Sequence, residues 1–184
     1  MTILEDAVGI LRRGGVIAYP TESVWGLGCA PQNKKAVQRI LEMKKRPEEK
    51  GLILVAGNIK QVEPLISRLE PQYREILEAS WPGPNTWLVP DVDQIIPSWI
   101  KGQFATVAVR VSDHPLVADL CQGLGGMLVS TSANPADKTP AMTQAQVQEY
   151  FPEGVDFVVP GEPGGRVGPS EIRDLMSQQV IRGQ

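Results

Sequence analysis

The sequence predicts an α/β fold, a mixed sheet with flanking helices. Three observations predict it. Short apolar runs at 16–19, 52–55, 106–111 and 127–129 read as buried strands. Between them lie stretches with apolar residues at helical spacing, and that alternation marks a sheet covered by helices. The strand candidates at 85–89 and 106–111 have no obvious helix between them, so the sheet should be mixed rather than all parallel.

Taken in order, residues 3–13 form an amphipathic helix, with Ile3, Leu4, Ala7, Val8, Ile10 and Leu11 on one side. Thr2 and Glu5 fit a capping box, and Gly14-Gly15 supplies the stop. The strand at 16–19 ends at Pro20. A helix over 33–43 turns Val37, Ile40 and Leu41 inward, and Pro47 marks its exit. After the strand at 52–55 come helices around 59–68 and 71–80. Trp81-Pro82-Gly83-Pro84 is a rigid turn. Asp113 can cap a helix that has Pro115 in its first turn and runs to about residue 121. The strand at 127–129 leads into Ser130-Thr131-Ser132-Ala133-Asn134-Pro135. Thr143 and Gln146 suggest a capping box before Val147 and Tyr150. Residues 155–159 and 180–182 could be closing strands.

Composition bounds the function. At about 150 residues per domain, 184 residues favour one domain over 1–184. Hydrophobic residues at 42% and charged residues at 21% are ordinary for a globular chain and argue against disorder. A net charge of −3 makes a whole-surface polyanion binder a poor fit, while a local basic patch stays open. The two cysteines, Cys29 and Cys121, cannot make a disulfide framework or a four-ligand zinc site. His114 is the only histidine and excludes a His-rich metal centre; no metal ligands are expected. With no apolar run of about 20 residues and an acidic start, the expectation is a cytoplasmic protein with no membrane partner.

Four segments join strands to polar residues that build a core badly. Residues 19–28, Tyr-Pro-Thr-Glu-Ser-Val-Trp-Gly-Leu-Gly, read either as a β-turn with surface hydroxyls or as a ligand loop whose glycines allow close approach. Residues 34–50 carry seven basic and three acidic groups, a local +4, around Lys44-Lys45-Arg46-Pro47. This is a solvated helix end or a phosphate site. Arg110 stands in the apolar strand Thr106-Val107-Ala108-Val109-Arg110-Val111 and needs an anionic partner, internal or ligand. The fourth, Ser130 to Asn134, offers small hydrogen-bonding groups that bind a ligand or cap a turn. No P-loop, no Gly-x-Ser-x-Gly elbow and no dinucleotide fingerprint occurs.

These segments, together with Trp-Pro-Gly-Pro-Asn-Thr at 81–86 and Pro-Ser-Glu-Ile-Arg-Asp at 169–174, resemble the YrdC-like family, which contains threonylcarbamoyl-adenylate synthases. The likeness runs over nearly the whole chain, in the short form without an additional C-terminal domain. It implies a twisted sheet around a positively charged cavity. It also implies a reaction in which L-threonine, bicarbonate and ATP give threonylcarbamoyl-adenylate and pyrophosphate. Downstream proteins then transfer the threonylcarbamoyl group to N6 of adenosine 37 in tRNAs that read codons beginning with A.

By the same resemblance, Lys44 and Arg46 face the phosphates with catalytic roles. Lys45, one residue along from Lys44, should face away. Thr21, Arg110, Ser130 and Ser170 hold threonine, with Arg110 on its carboxylate. Thr106, Ser132, Asn134 and Arg182 join Lys44 at the nucleotide. Mg²⁺ is expected with ATP. The chain departs from the family pattern at Lys50-Gly51-Leu52, where Pro-Leu is common, and at Pro135-Ala136-Asp137 after Asn134. Two other readings stand beside this one. One is a double-stranded-RNA-binding or ribosome-maturation module that uses the basic cavity for RNA. The other is a carbamoyl-transfer domain of the hydrogenase-maturation type, which expects further domains that the length and cysteine count do not supply.

Overall fold

Thr2 opens the first helix as the sequence predicts. Its hydroxyl accepts from the Glu5 N–H at 3.2 Å, and its own N–H donates to the Glu5 carboxylate at 2.7 Å. In the computed structural model, which describes residues 2–182, this helix is α1, Ile3–Arg12. The chain continues through β1 (Ile17–Pro20), β2 (Trp25–Cys29), α2 (Lys34–Lys44), β3 (Ile53–Ala56), α3 (Glu63–Ile66) and α4 (Pro71–Ser80). It then forms β4 (Asn85–Pro90), α5 (Ser98–Lys101), β5 (Thr106–Val111), α6 (Pro115–Leu124) and β6 (Leu128–Ser132). The last elements are α7 (Gln144–Tyr150), β7 (Phe157–Val158), β8 (Glu171–Asp174) and β9 (Val180–Arg182).

The strands make one nine-stranded sheet in the order β7-β1-β2-β6-β3-β5-β4-β8-β9. It is mixed, as expected: β1–β7, β3–β5 and β4–β8 are parallel, and the other neighbours antiparallel.

Four local expectations are corrected. Residues 25–29, read as loop because of their glycines, form β2 and pair with β1 and β6. Tertiary packing overrides the poor strand propensity of glycine there. The stretch 59–68 is a 3₁₀ turn followed by the one-turn helix α3. The strand expected at 127–129 extends as β6 to Ser132, so its hydroxyls stand on rigid sheet. His114, not Asp113, is the N-cap of α6.

Period-two alternation sorts the side chains to two faces. Ala18, Leu27, Val129, Leu54, Val107 and Val109 pack with Val37, Ile40 and Leu41 of α2 in the larger core. Ile17, Tyr19, Leu128 and Val55 point the other way, onto Ala7, Val8 and Leu11 of α1 and Val117, Leu120 and Cys121 of α6. Each fully buried Leu or Ile in these layers contributes about 1.5–3 kcal/mol. The α1–α6 layer covers only part of its face. Gly26, Ser130, Ser132, Ile53 and Arg110 share that face by register and border a cavity. No helix among the described residues is long and apolar enough to cross a membrane.

Arg39 ties α2 to the far edge of the sheet. Its guanidinium meets the Asp156 carboxylate at 2.8 and 3.1 Å, and Asp156 also accepts the Val16 N–H at 2.7 Å. The Arg39 hydrogen bond is the main force holding the Asp156 carboxyl below its usual value. A depressed carboxylate stabilises the fold above its ordinary pKa, near 4, and that contribution is lost as the pH falls through the folded value. The pair is more than a third exposed, so its worth at neutral pH is about 1 kcal/mol or less. Asp156→Asn should therefore lower stability slightly at pH 7, and the gap from the parent should shrink below about pH 4. Urea unfolding at both pH values checks this; a gap that widens in acid contradicts it.

Candidate active site

The cavity measures about 580 Å³ and lies on the sheet face left open by α1 and α6. That is the size of a small-molecule site. Its wall includes Thr21, Ser23 and Val24 from the β1–β2 turn, Gly26 on β2, Ile53 and Val55 on β3, Arg110 on β5, and Ser130, Thr131 and Ser132 on β6. Arg46, Leu52 and Pro140 close other sides, with Gly168, Pro169, Ser170 and Arg182 from the last part of the chain. Three guanidinium groups, Arg46, Arg110 and Arg182, stand on the wall, and no carboxylate does among the described residues. Seven of the residues singled out in the sequence meet here: Thr21, Arg46, Arg110, Ser130, Ser132, Ser170 and Arg182.

Arg110 has the internal partner that an arginine in an apolar strand needs. Its Nη2 lies 3.2 Å from Oε2 of Glu22, and the two side chains are 12% and 6% exposed. The other carboxylate oxygen of Glu22 accepts from Ser112 Oγ. Ser112 Oγ in turn accepts the His114 N–H at 3.1 Å. The buried Nε of Arg110 has no hydrogen-bond partner among the described residues. The internal partner of Arg110 is therefore Glu22, and the residue also lines the cavity.

The hydroxyls are held from behind. Thr21 Oγ1 donates to the Val24 carbonyl at 2.8 Å. Tyr19 donates to Ser130 Oγ at 2.8 Å. Ser170 Oγ and the fully buried Thr86 Oγ1 are 2.9 Å apart. Arg182 donates to the Ser170 carbonyl at 3.0 Å.

Arg46 is oriented by two bonds to the Gly51 carbonyl, at 3.2 and 2.9 Å. Gly51 has φ +66°, a left-handed conformation that favours glycine, and this gives the departure at Gly51 a structural use. Lys50 is exposed and absent from the wall. Burial lowers the pKa of Arg46 and of Arg182, with the neighbouring Arg182 and Arg110 charges adding to each respectively. Arg182 is therefore within electrostatic reach of both Arg46 and Arg110.

Three of the residues expected at the ligand do not line this wall. Lys44 is buried off the wall, and its ammonium donates to Ser132 O at 2.5 Å, Asn134 O at 2.9 Å and Asn134 Oδ1 at 3.3 Å. Asn134 Oδ1 also accepts from Ser132 Oγ at 2.6 Å, while its amide donates to the Pro135 and Lys138 carbonyls. Lys44 and Asn134 thus form an internal bracket that shapes the turn after β6. The last turn of α2 packs against that turn, and a buried ammonium takes the nearest carbonyls. Thr106 shares the face of Arg110 at the start of β5 but does not reach the wall.

Sequence reasoning missed Glu22, Ser112, Thr86 and Tyr19 as supports of the site. Their partners lie dozens of residues away, so spacing carries no signal. A charge in an apolar strand was the one visible cue, and it demanded a partner without naming it.

The Sua5/YciO/YrdC family model, described as telomere recombination, matches residues 9–183. A threonylcarbamoyl-AMP synthase of Saccharophagus degradans is 54% identical over 179 residues, covering 97% of this chain and 93% of that protein. Another, of Cellvibrio japonicus, is 52% identical over 176 residues, covering 96% and 93%. Among solved structures, P. abyssi Sua5 complexed with L-threonine matches with a TM-score of 0.87 at 31% identity. That match covers 97% of this chain and 53% of the other, so the chain spans about half of that longer protein.

The bracket has a testable consequence. Burial, with the Arg46 charge adding to it, pushes the Lys44 ammonium down to about 8. At pH 7 it is still largely protonated and holds its three acceptors. Lys44→Ala strands those acceptors and should cost about 1.5–3 kcal/mol of stability, the range for hydrogen bonds to a charged group. Lys45→Ala, at an exposed position, should cost little. Urea unfolding of both variants checks this; full stability in Lys44→Ala with turnover lost would return Lys44 to direct substrate contact.

Proposed function

The chain belongs to the Sua5/YciO/YrdC family, and from that premise we infer that it is a threonylcarbamoyl-AMP synthase. The observation that carries the site assignment is the wall itself: three arginines and four oriented hydroxyl groups around one small-molecule-sized cavity. Such a wall, read as positively charged, suits two anions that must be brought together.

The substrates are L-threonine, bicarbonate and ATP. The ammonium group of threonine and bicarbonate give a carbamate, with loss of water and release of one proton. A carbamate oxygen then attacks the α-phosphorus, the bond to the β-phosphate breaks, and pyrophosphate leaves with its electron pair. No protein nucleophile enters. Arg110 takes the threonine carboxylate in a two-point contact of the kind a guanidinium forms best. Thr21 Oγ1, already donating to Val24 O, has only lone pairs left and accepts from the threonine amino group. Ser130 and Ser170 complete the threonine side. Arg46 and Arg182 face the phosphates, with Ser132 toward the nucleotide. Fixed cations that meet developing charge need no reorganisation in the reaction, which is why one such group is worth ~10²–10³ in rate.

Mg²⁺ enters as part of the MgATP substrate. Among the described residues no group of three or more His, Cys, Asp or Glu converges to hold a metal, and Glu22, in the turn beside Thr21 and Ser23, is engaged by Arg110 and Ser112. These residues do not fit a protein-held metal centre. The product would feed transfer proteins that modify tRNA, and a cytoplasmic enzyme suits that role. An RNA duplex does not fit a cavity of this size, so direct RNA binding, if the basic residues serve it, would use the surface around the opening.

With ATP, Mg²⁺, bicarbonate and single amino acids, pyrophosphate should appear only when threonine and bicarbonate are both present, with serine clearly poorer. A pyrophosphate-release assay decides it. Equal turnover without threonine, or none under any condition, would sink the synthase reading.

A further inference from the structure

Tyr19 is completely buried on β1, yet its hydroxyl reaches Ser130 Oγ on β6 at 2.8 Å. These strands are not neighbours, since β2 lies between them. The phenol crosses β2 on the face where Gly26 and Gly28 stand. In register, Tyr19 is opposite Gly26, and Gly28 is opposite Ser130. A Cβ at Gly28 would come within 2.8 Å of Tyr19 Cε1, and one at Gly26 would touch Cζ at 3.5 Å. The Gly-Leu-Gly run is therefore the track along which the ring passes. This is a second use for glycines that the sequence offered only as room for a ligand.

The direction of the bond matters. Burial raises the phenol pKa above its ordinary value, so Tyr19 stays neutral and keeps its proton at any working pH. A phenol has one proton to donate, and Ser130 Oγ receives it. Ser130 keeps its own proton, for which the structure shows no acceptor among the described residues. Ser130 lines the cavity, so the cavity is where that proton can be used.

We propose that Tyr19 is a positioning residue that fixes Ser130 as a hydrogen-bond donor to a substrate oxygen. The inference rests on the reading of this cavity as the threonine site. It gives the two hydroxyls opposite polarity. Thr21 donates backward to Val24 and accepts from the amino group, whereas Ser130 accepts backward from Tyr19 and donates to an oxygen of threonine. A ligand that carries both an amino group and a carboxylate is then held in one orientation.

The test is a double-mutant cycle with Tyr19→Phe, Ser130→Ala and the pair, read by pyrophosphate release. Phenylalanine keeps the ring that fills the space over Gly26 and Gly28, so the variant retains the packing. Tyr19→Phe should raise the threonine KM about fivefold, the scale of one neutral hydrogen bond, and leave the ATP KM within about twofold. The double variant should match Ser130→Ala alone, because Tyr19 acts through Ser130. A general packing defect would instead move both KM values and multiply with Ser130→Ala, and that result overturns the proposal. So does an unchanged threonine KM in Tyr19→Phe when Ser130→Ala raises it. If Ser130→Ala itself leaves the threonine KM unmoved, the threonine reading of this wall fails and the inference falls with it.

Discussion

The ion pair between Glu22 and Arg110 is the constraint on which the site depends. Glu22 lies in the turn between β1 and β2, and Arg110 lies on β5. In the sheet order, β6 and β3 stand between β2 and β5. Three strand spacings amount to about 14 Å on a flat sheet. Two side chains meeting at 3.2 Å across that span must both extend toward each other over β6 and β3. The cavity occupies the span, with Thr21 and Ser23 at one end, Arg110 at the other, and Ser130, Ser132, Ile53 and Val55 between. Neither partner could be removed alone, since an unpaired buried charge costs about 3–5 kcal/mol.

Around this pair, the polar groups divide into those that line the cavity and those that hold them. Glu22 orients Arg110, Thr86 meets Ser170, Gly51 aims Arg46, and Tyr19 reaches Ser130. The Lys44–Asn134–Ser132 bracket does the same for the turn after β6. Support groups of this kind keep a binding side chain in one rotamer, which is what lets a fixed charge act without reorganisation.

Much of this was readable from residues alone, and the exceptions share a cause. Helices with a capping box or a clear apolar stripe, such as α1 and α2, stand where periodicity puts them. Strand β2 escaped because Gly26 and Gly28 lower strand propensity, and their reason for being there is a tyrosine on the neighbouring strand. Arg110 announced itself as a charge in an apolar run, but its partner is 88 residues away. The family likeness brought Lys44 and Asn134 forward as ligand contacts. Only three-dimensional packing shows them turned toward each other, because burial of an ammonium is decided by which carbonyls lie nearby.

The most direct test of the account is calorimetric titration of threonine, and separately of ATP, into Arg110→Lys beside the parent protein. Lysine keeps a cation next to Glu22, so the fold should persist, but it cannot make the two parallel bonds of a guanidinium. The account predicts threonine affinity lower by ~10- to 100-fold, corresponding to about 1.5–3 kcal/mol, with ATP binding little changed. Unchanged threonine affinity in a folded Arg110→Lys protein would contradict it and leave the Glu22–Arg110 pair a purely structural feature.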